Sequence, residues 1–128
     1  MTVMILRIFL AVTALMYAAF GLWSISDPVG MTAALGVDPG GPNGVFEARG
    51  IYGGTSLGAA ALTAFGAFNP TRMARPALWF LVAYMGGYVI GRAASVIAGD
   101  NAEVTSWMFA GGEALVFVIA SAFLIRKP

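Results

Sequence analysis

The chain has 128 residues, 59% hydrophobic and 10% charged, with six acids, seven bases and a net charge of +1. A soluble domain carries about 25% charged residues to wet its surface, so most of this surface must meet lipid, in one integral membrane domain over residues 1–128. Neither cysteine nor histidine is present, which excludes thiol redox, ordinary zinc sites and His-ligated haem, and no basic run is long enough to serve nucleic acid.

A helix that spans a membrane needs about 20 mostly apolar residues, and four segments supply them as continuous runs without the period-two alternation of a membrane barrel. The first covers Thr2 to Ile25 and ends at Asp27-Pro28. Its charged flank is thin and no polar start follows a small-residue cleavage site, so Met1 to Gly21 is expected to be a true span rather than a signal peptide. Arg7 would snorkel to the nearby headgroups. In the loop DPVGMTAALGVDPGGPNG, Asp27 and Pro28 are placed to cap and start a short interfacial helix through Leu35, with Gly36 ending it. This segment is either a surface connector or a lid over a cavity.

The second span covers Val45 to Phe68 and stops at Asn69-Pro70, the third Pro76 to Ala98, and the fourth Asn101 to Ile125. Pro76 suits the first turn of the third span, Gly99 its C-terminal cap, and Asp100 with Glu103 resembles a capping box opening the fourth. Trp23, Trp79 and Trp107 fall near the expected interfaces, where an indole buries its ring and wets its N–H. The expected fold class is therefore all-α, a four-helix transmembrane bundle with both termini on one side. That side carries Arg7, Arg72, Arg75, Arg126 and Lys127, whereas the opposite loops carry Asp27, Asp38, Asp100 and Glu103 and no base. The positive-inside rule puts the basic side in the cytoplasm, with the chain in a bacterial inner membrane.

Four charges fall inside or at the edge of spans: Glu47, Arg49, Arg92 and Glu113. Each costs about 2.5–3.5 kcal/mol at a helix centre, and together they sum to zero, which points to a buried Glu/Arg network. In an antiparallel hairpin of the third and fourth spans, Arg92 lies about 5 Å, one turn, from Glu113. Tyr84, Tyr88 and Arg92, spaced by four, share one face. Glu47 and Arg49 point about 200° apart on an α-helix, so the second span would touch neighbours on two sides. One circuit pairs Arg49 with Glu113 and Glu47 with Arg92; the reverse assignment is open. Arg49 shares its face with Tyr52, Gly53 and Ser56. Small residues let helices approach closely in lipid, and Gly50, Gly54 and Gly58, Gly87 and Gly91, and Gly111 and Gly112 are the candidate packing stripes, with Gly53 a further candidate packing glycine. They serve packing within the chain or a self-association face.

The runs EARGIYGG (Glu47 to Gly54) and GRAASVIAG (Gly91 to Gly99), with a Glu in the last span, resemble an uncharacterised bacterial family. It is a four-helix membrane domain of unknown function whose topology is similar to DoxX-like proteins. The resemblance covers nearly the whole chain and carries over Glu47, Arg49, Tyr52, Gly53, Gly54, Arg92, Ser95 and Glu113 as signature positions. It implies a fold and no activity. The residues themselves support three readings: a non-catalytic scaffold or accessory protein, a binder of a lipid-like or small anionic ligand in the outer half, or a transporter or proton relay using Glu113. No catalytic set, metal site or cofactor is expected. Expected partners are membrane lipids, a homo-oligomer or larger membrane complex, or a lipophilic ligand, and no nucleic acid.

Overall fold

The computed structural model describes residues 2–125, so Arg126 and Lys127, which enter the orientation argument, lie outside the described residues. The described chain is entirely helical: α1 (Thr2–Ser26), α2 (Pro28–Ala34), α3 (Pro42–Ala48), a π-helical segment (Arg49–Gly54), α4 (Thr55–Phe68), α5 (Pro70–Ala98) and α6 (Val104–Ile125). Four helices are long and apolar enough to cross a membrane: Val3–Ser26, Pro42–Phe68, Pro70–Ala98 and Val104–Ile125. The fifth, α2, is too short to cross. Large side chains such as Leu15, Phe68, Ile97 and Met108 stand mostly exposed, as expected where lipid is the solvent.

The chain divides into two compact units, one ending at Ala74 and one beginning at Arg75. The first is built on an antiparallel pair, α1 against the continuous rod of α3, the π-segment and α4. Gly21 and Gly53 mark its closest approach. A Cβ on Gly21 would stand 2.9 Å from Leu57 Cγ and 3.0 Å from the Gly53 carbonyl oxygen, and one on Gly53 would stand 2.6 Å from Ile25 Cγ1. The buried positions here are mostly small: Ala14, Gly21 and Ser24 on α1, and Gly53, Ser56, Ala60, Thr63 and Ala67 on the opposing rod. Bare backbones gain dispersion contacts that branched side chains would hold apart. The hydroxyls of Thr13, Ser24 and Thr63 donate to carbonyls one turn back, at 2.7–2.8 Å, so none is left unsatisfied in an apolar setting.

Asp27 and Pro28 open α2 as expected, with the Gly30 amide donating to Asp27 Oδ1 at 2.9 Å. Gly36, at φ 71°, ends it, and the amides of Gly36 and Val37 return to Ala33 and Thr32. That pattern requires a left-handed residue, which glycine supplies without steric cost. Met31 and Thr32 are buried, and α2 packs against α1 and α3.

Three helix starts differ from expectation. The second span begins at Pro42, three residues before Val45. The third span begins at Pro70, with Asn69 accepting from the Arg72 and Met73 amides, so Pro76 lies inside α5. A proline two turns in removes one hydrogen bond, that to the Arg72 carbonyl, and the helix continues through it. The capping box at Asp100 is not formed. Helix α6 begins at Val104, with Glu103 ahead of it accepting from the Trp107 amide. The cause is the end of α5: Gly99 at φ 84° sends its own amide to Val96 and that of Asp100 to Ser95. Asp100 is thereby held as the closing residue of one helix and cannot open the next.

In the second unit α5 and α6 form an antiparallel hairpin. Gly86 meets the Phe117 ring, which would lie 3.2 Å from an added Cβ, and six residues further along α5, Arg92 meets Glu113.

Candidate functional site

Arg92 lies about 9 Å before the end of α5 and Glu113 about 14 Å into α6, at 1.5 Å per residue. Both therefore sit well inside their spans. The guanidinium holds the carboxylate through both oxygens: Nε donates to Oε2 at 3.1 Å and Nη2 to Oε1 at 3.0 Å. Such a fork fixes orientation as well as charge and is stronger than a single contact. The pair is not enclosed: 43% of the Arg92 side chain and 15% of that of Glu113 remain accessible.

Behind Arg92 the face of α5 continues as a polar-aromatic stripe at four-residue spacing. The Tyr88 ring meets that of Tyr84 edge-on at 5.2 Å, with their hydroxyls 3.4 Å apart. The Tyr84 ring stacks on Phe80, also at 5.2 Å. The expected Tyr84–Tyr88–Arg92 face is therefore present and extends one turn further. Phe80 was legible from the same spacing. Ser95 is exposed on the following turn.

The buried four-charge network is not present. No ion pair is buried among the described residues; Arg92 and Glu113 form a partly exposed one. Arg49 is exposed and donates through Nε to the Ile25 carbonyl at 3.1 Å. That oxygen belongs to the last turn of α1, where carbonyls lack an amide partner and the helix carries partial negative charge. Glu47 is exposed and has no hydrogen-bond or ion-pair partner among the described residues. Backbone oxygens of a helix end thus took the role that a carboxylate was expected to fill.

The π-segment is the feature that helical spacing missed. Over Arg49–Gly54 each turn holds an extra residue, and the Gly50 carbonyl accepts from the Thr55 amide five residues on. The Thr55 hydroxyl shares the same oxygen at 3.3 Å. Arg49 and Gly53 both meet α1, on the face they were expected to share with Tyr52 and Ser56, and Tyr52 is edge-on to Phe20 at 6.4 Å. π-turns interrupt α-helices mostly as single turns and are frequent at functional sites. Nothing in the residue types announces it beyond a glycine-rich run.

Of the expected packing glycines, Gly53 meets a neighbouring helix. Among the described residues, nothing stands within 4 Å of a Cβ at Gly50, Gly58, Gly87, Gly91, Gly111 or Gly112, and Gly54 would touch only its own turn. Gly21, Gly53 and Gly86 stand at contacts between helices inside the two units. Gly21 was not singled out in the sequence; in the structure it lies level with Gly53, in the register that brings Ile25 to Arg49.

A family model described as Domain of unknown function (DUF4345) matches residues 5–124, and the chain belongs to that family. No curated protein and no solved structure matches it.

Proposed function

We propose that this member of the DUF4345 family is a non-catalytic accessory protein of the bacterial cytoplasmic membrane. It assembles with other membrane-embedded chains through the α5–α6 face that carries Arg92 and Glu113. The observation that carries this reading is the half-open ion pair set among bare glycines. Hydrocarbon gives neither charge the hydration that water would, so charged groups in spans face protein or a wet cavity. Among the described residues nothing stands within 4 Å of a Cβ at Gly91, Gly111 or Gly112, which leaves room for a further helix to close on the pair. A ligand gripped by Arg92 has less support, since Nε and Nη2 are committed to Glu113.

Both termini face the cytoplasm in this reading, as in DoxX-like topologies. The described bases Arg7, Arg72 and Arg75 fall on that side of a four-span count, while Asp27, Asp38, Asp100 and Glu103 fall on the other. Helix α2, with Met31 buried and Val29 exposed, lies in the outer interface.

The test is a charge swap. Arg92→Glu and Glu113→Arg each place like charges together, whereas the double variant restores an opposite pair. Each single variant is expected to lower recovery of co-purifying membrane polypeptides by about tenfold, equivalent to roughly 1.4 kcal/mol. The double variant is expected to regain it, at equal amounts of chain in the membrane. Single variants that co-purify like the parent would end this reading.

A further inference from the structure

At the end of the first unit opposite Arg49, Arg7 makes the mirror contact: its Nε donates to the Ala67 carbonyl, in the last turn of α4, at 3.0 Å. The two Nη groups of Arg7 make no hydrogen bond among the described residues. Arg7 also lines an open groove of about 590 Å³, walled by Val3, Met4, Ile8 and Ala11 of α1 and by Phe68. The groove follows α1 for about 12 Å, the rise of eight residues. Its wall is almost wholly hydrocarbon, and its volume lies in the range of about 300–1,000 Å³ usual for small-molecule sites. Arg72, exposed on the first turn of α5, adds a second positive charge just past Phe68.

We propose that this groove binds one anionic phospholipid. The phosphate sits on the Arg7 Nη groups and an acyl chain lies along Val3, Met4, Ile8, Ala11 and Phe68. The charge complementarity is specific. The carbonyl bond through Nε holds the guanidinium plane in place, and its outer edge presents the paired donors that match two phosphate oxygens. A zwitterionic lipid fills the groove equally well but adds a compensating cation, and a free phosphate has the anion without the chain.

The test is native mass spectrometry of the full chain in neutral detergent. The added probes are dioleoylphosphatidylglycerol, dioleoylphosphatidylcholine or glycerol phosphate. The expected result is retention of phosphatidylglycerol over phosphatidylcholine by about fivefold, with glycerol phosphate neither retained nor competing. Arg7→Gln is expected to remove the preference and Arg7→Lys to weaken it, because an ammonium keeps the charge but not the paired donors. Ala11→Phe, which fills the groove and leaves Arg7 intact, is expected to lower phosphatidylglycerol retention by a similar factor and covers the case in which Arg7→Gln fails to fold. Equal retention of the two lipids would overturn the proposal. So would a preference that survives Arg7→Gln or Ala11→Phe, or competition by glycerol phosphate as effective as that of the lipid, which would mark a site for a free anion.

Discussion

An arginine inside a span has to find acceptors, and Arg7, Arg49 and Arg92 find them in two ways. Arg92 takes a carboxylate, whereas Arg7 and Arg49 each take a backbone oxygen from the final turn of the opposing helix. The latter two contacts staple the α1–α4 pair at both ends: Arg7 of α1 on α4, and Arg49 of the second rod on α1. Each helix end supplies oxygens that otherwise lack partners, and each cation offsets the negative end of a helix dipole. Arg49→Ala is therefore expected to lower stability by about 1 kcal/mol. Thermal unfolding in detergent should show a lower midpoint for Arg49→Ala, with Glu47→Ala unchanged because Glu47 holds nothing. Equal midpoints for parent and Arg49→Ala would contradict the staple.

Among the elements, the four long helices and α2 were legible because their signals are local: apolar length, the Asp27-Pro28 start, and Gly36 and Gly99 at left-handed positions. The phase of α5 was legible too, in the Tyr84–Tyr88–Arg92 face and the Arg92–Glu113 contact, whereas that of the second span was legible only in part. Reading the second span as uninterrupted α-helix put Gly50, Gly54 and Gly58 on its packing seam, whereas the observed seam begins inside the π-segment and runs along Gly53, Ser56 and Ala60. Pro76 was misleading for a related reason. It suits a first turn, yet Pro70 already provides one, and two prolines six residues apart do not reveal which begins the helix. The partner of Arg49 was not legible at all, because a backbone carbonyl carries no residue type. The seam can be tested directly. Gly53→Val forces a side chain onto Ile25 and is expected to cost about 1–3 kcal/mol. Gly58→Ala, in open space within α4, is expected to be neutral or stabilising by up to about 1 kcal/mol. The same destabilisation in both variants, read from thermal midpoints, would refute this seam.

For the whole molecule, four helices are long and apolar enough to cross a membrane, and the topology proposed above puts the described bases at one boundary and the loop acids at the other. The absence of cysteine makes every introduced thiol a unique reporter. Asp38→Cys is expected to react with a membrane-impermeant maleimide in intact cells, and Thr71→Cys only after permeabilisation; the opposite pattern would invert the topology. The same property gives the most direct measurement of assembly through the α5–α6 face. Gly91→Cys and Gly112→Cys place thiols beside the Arg92–Glu113 pair without filling occupied space, and Leu15→Cys places one on an exposed position of α1. With a short photoactivatable cross-linker on each thiol in native membranes, the account predicts adducts with a second polypeptide from Gly91→Cys and Gly112→Cys. It predicts their loss when Glu113→Arg is added, and none from Leu15→Cys. Adducts with lipid alone at Gly91→Cys and Gly112→Cys would contradict it.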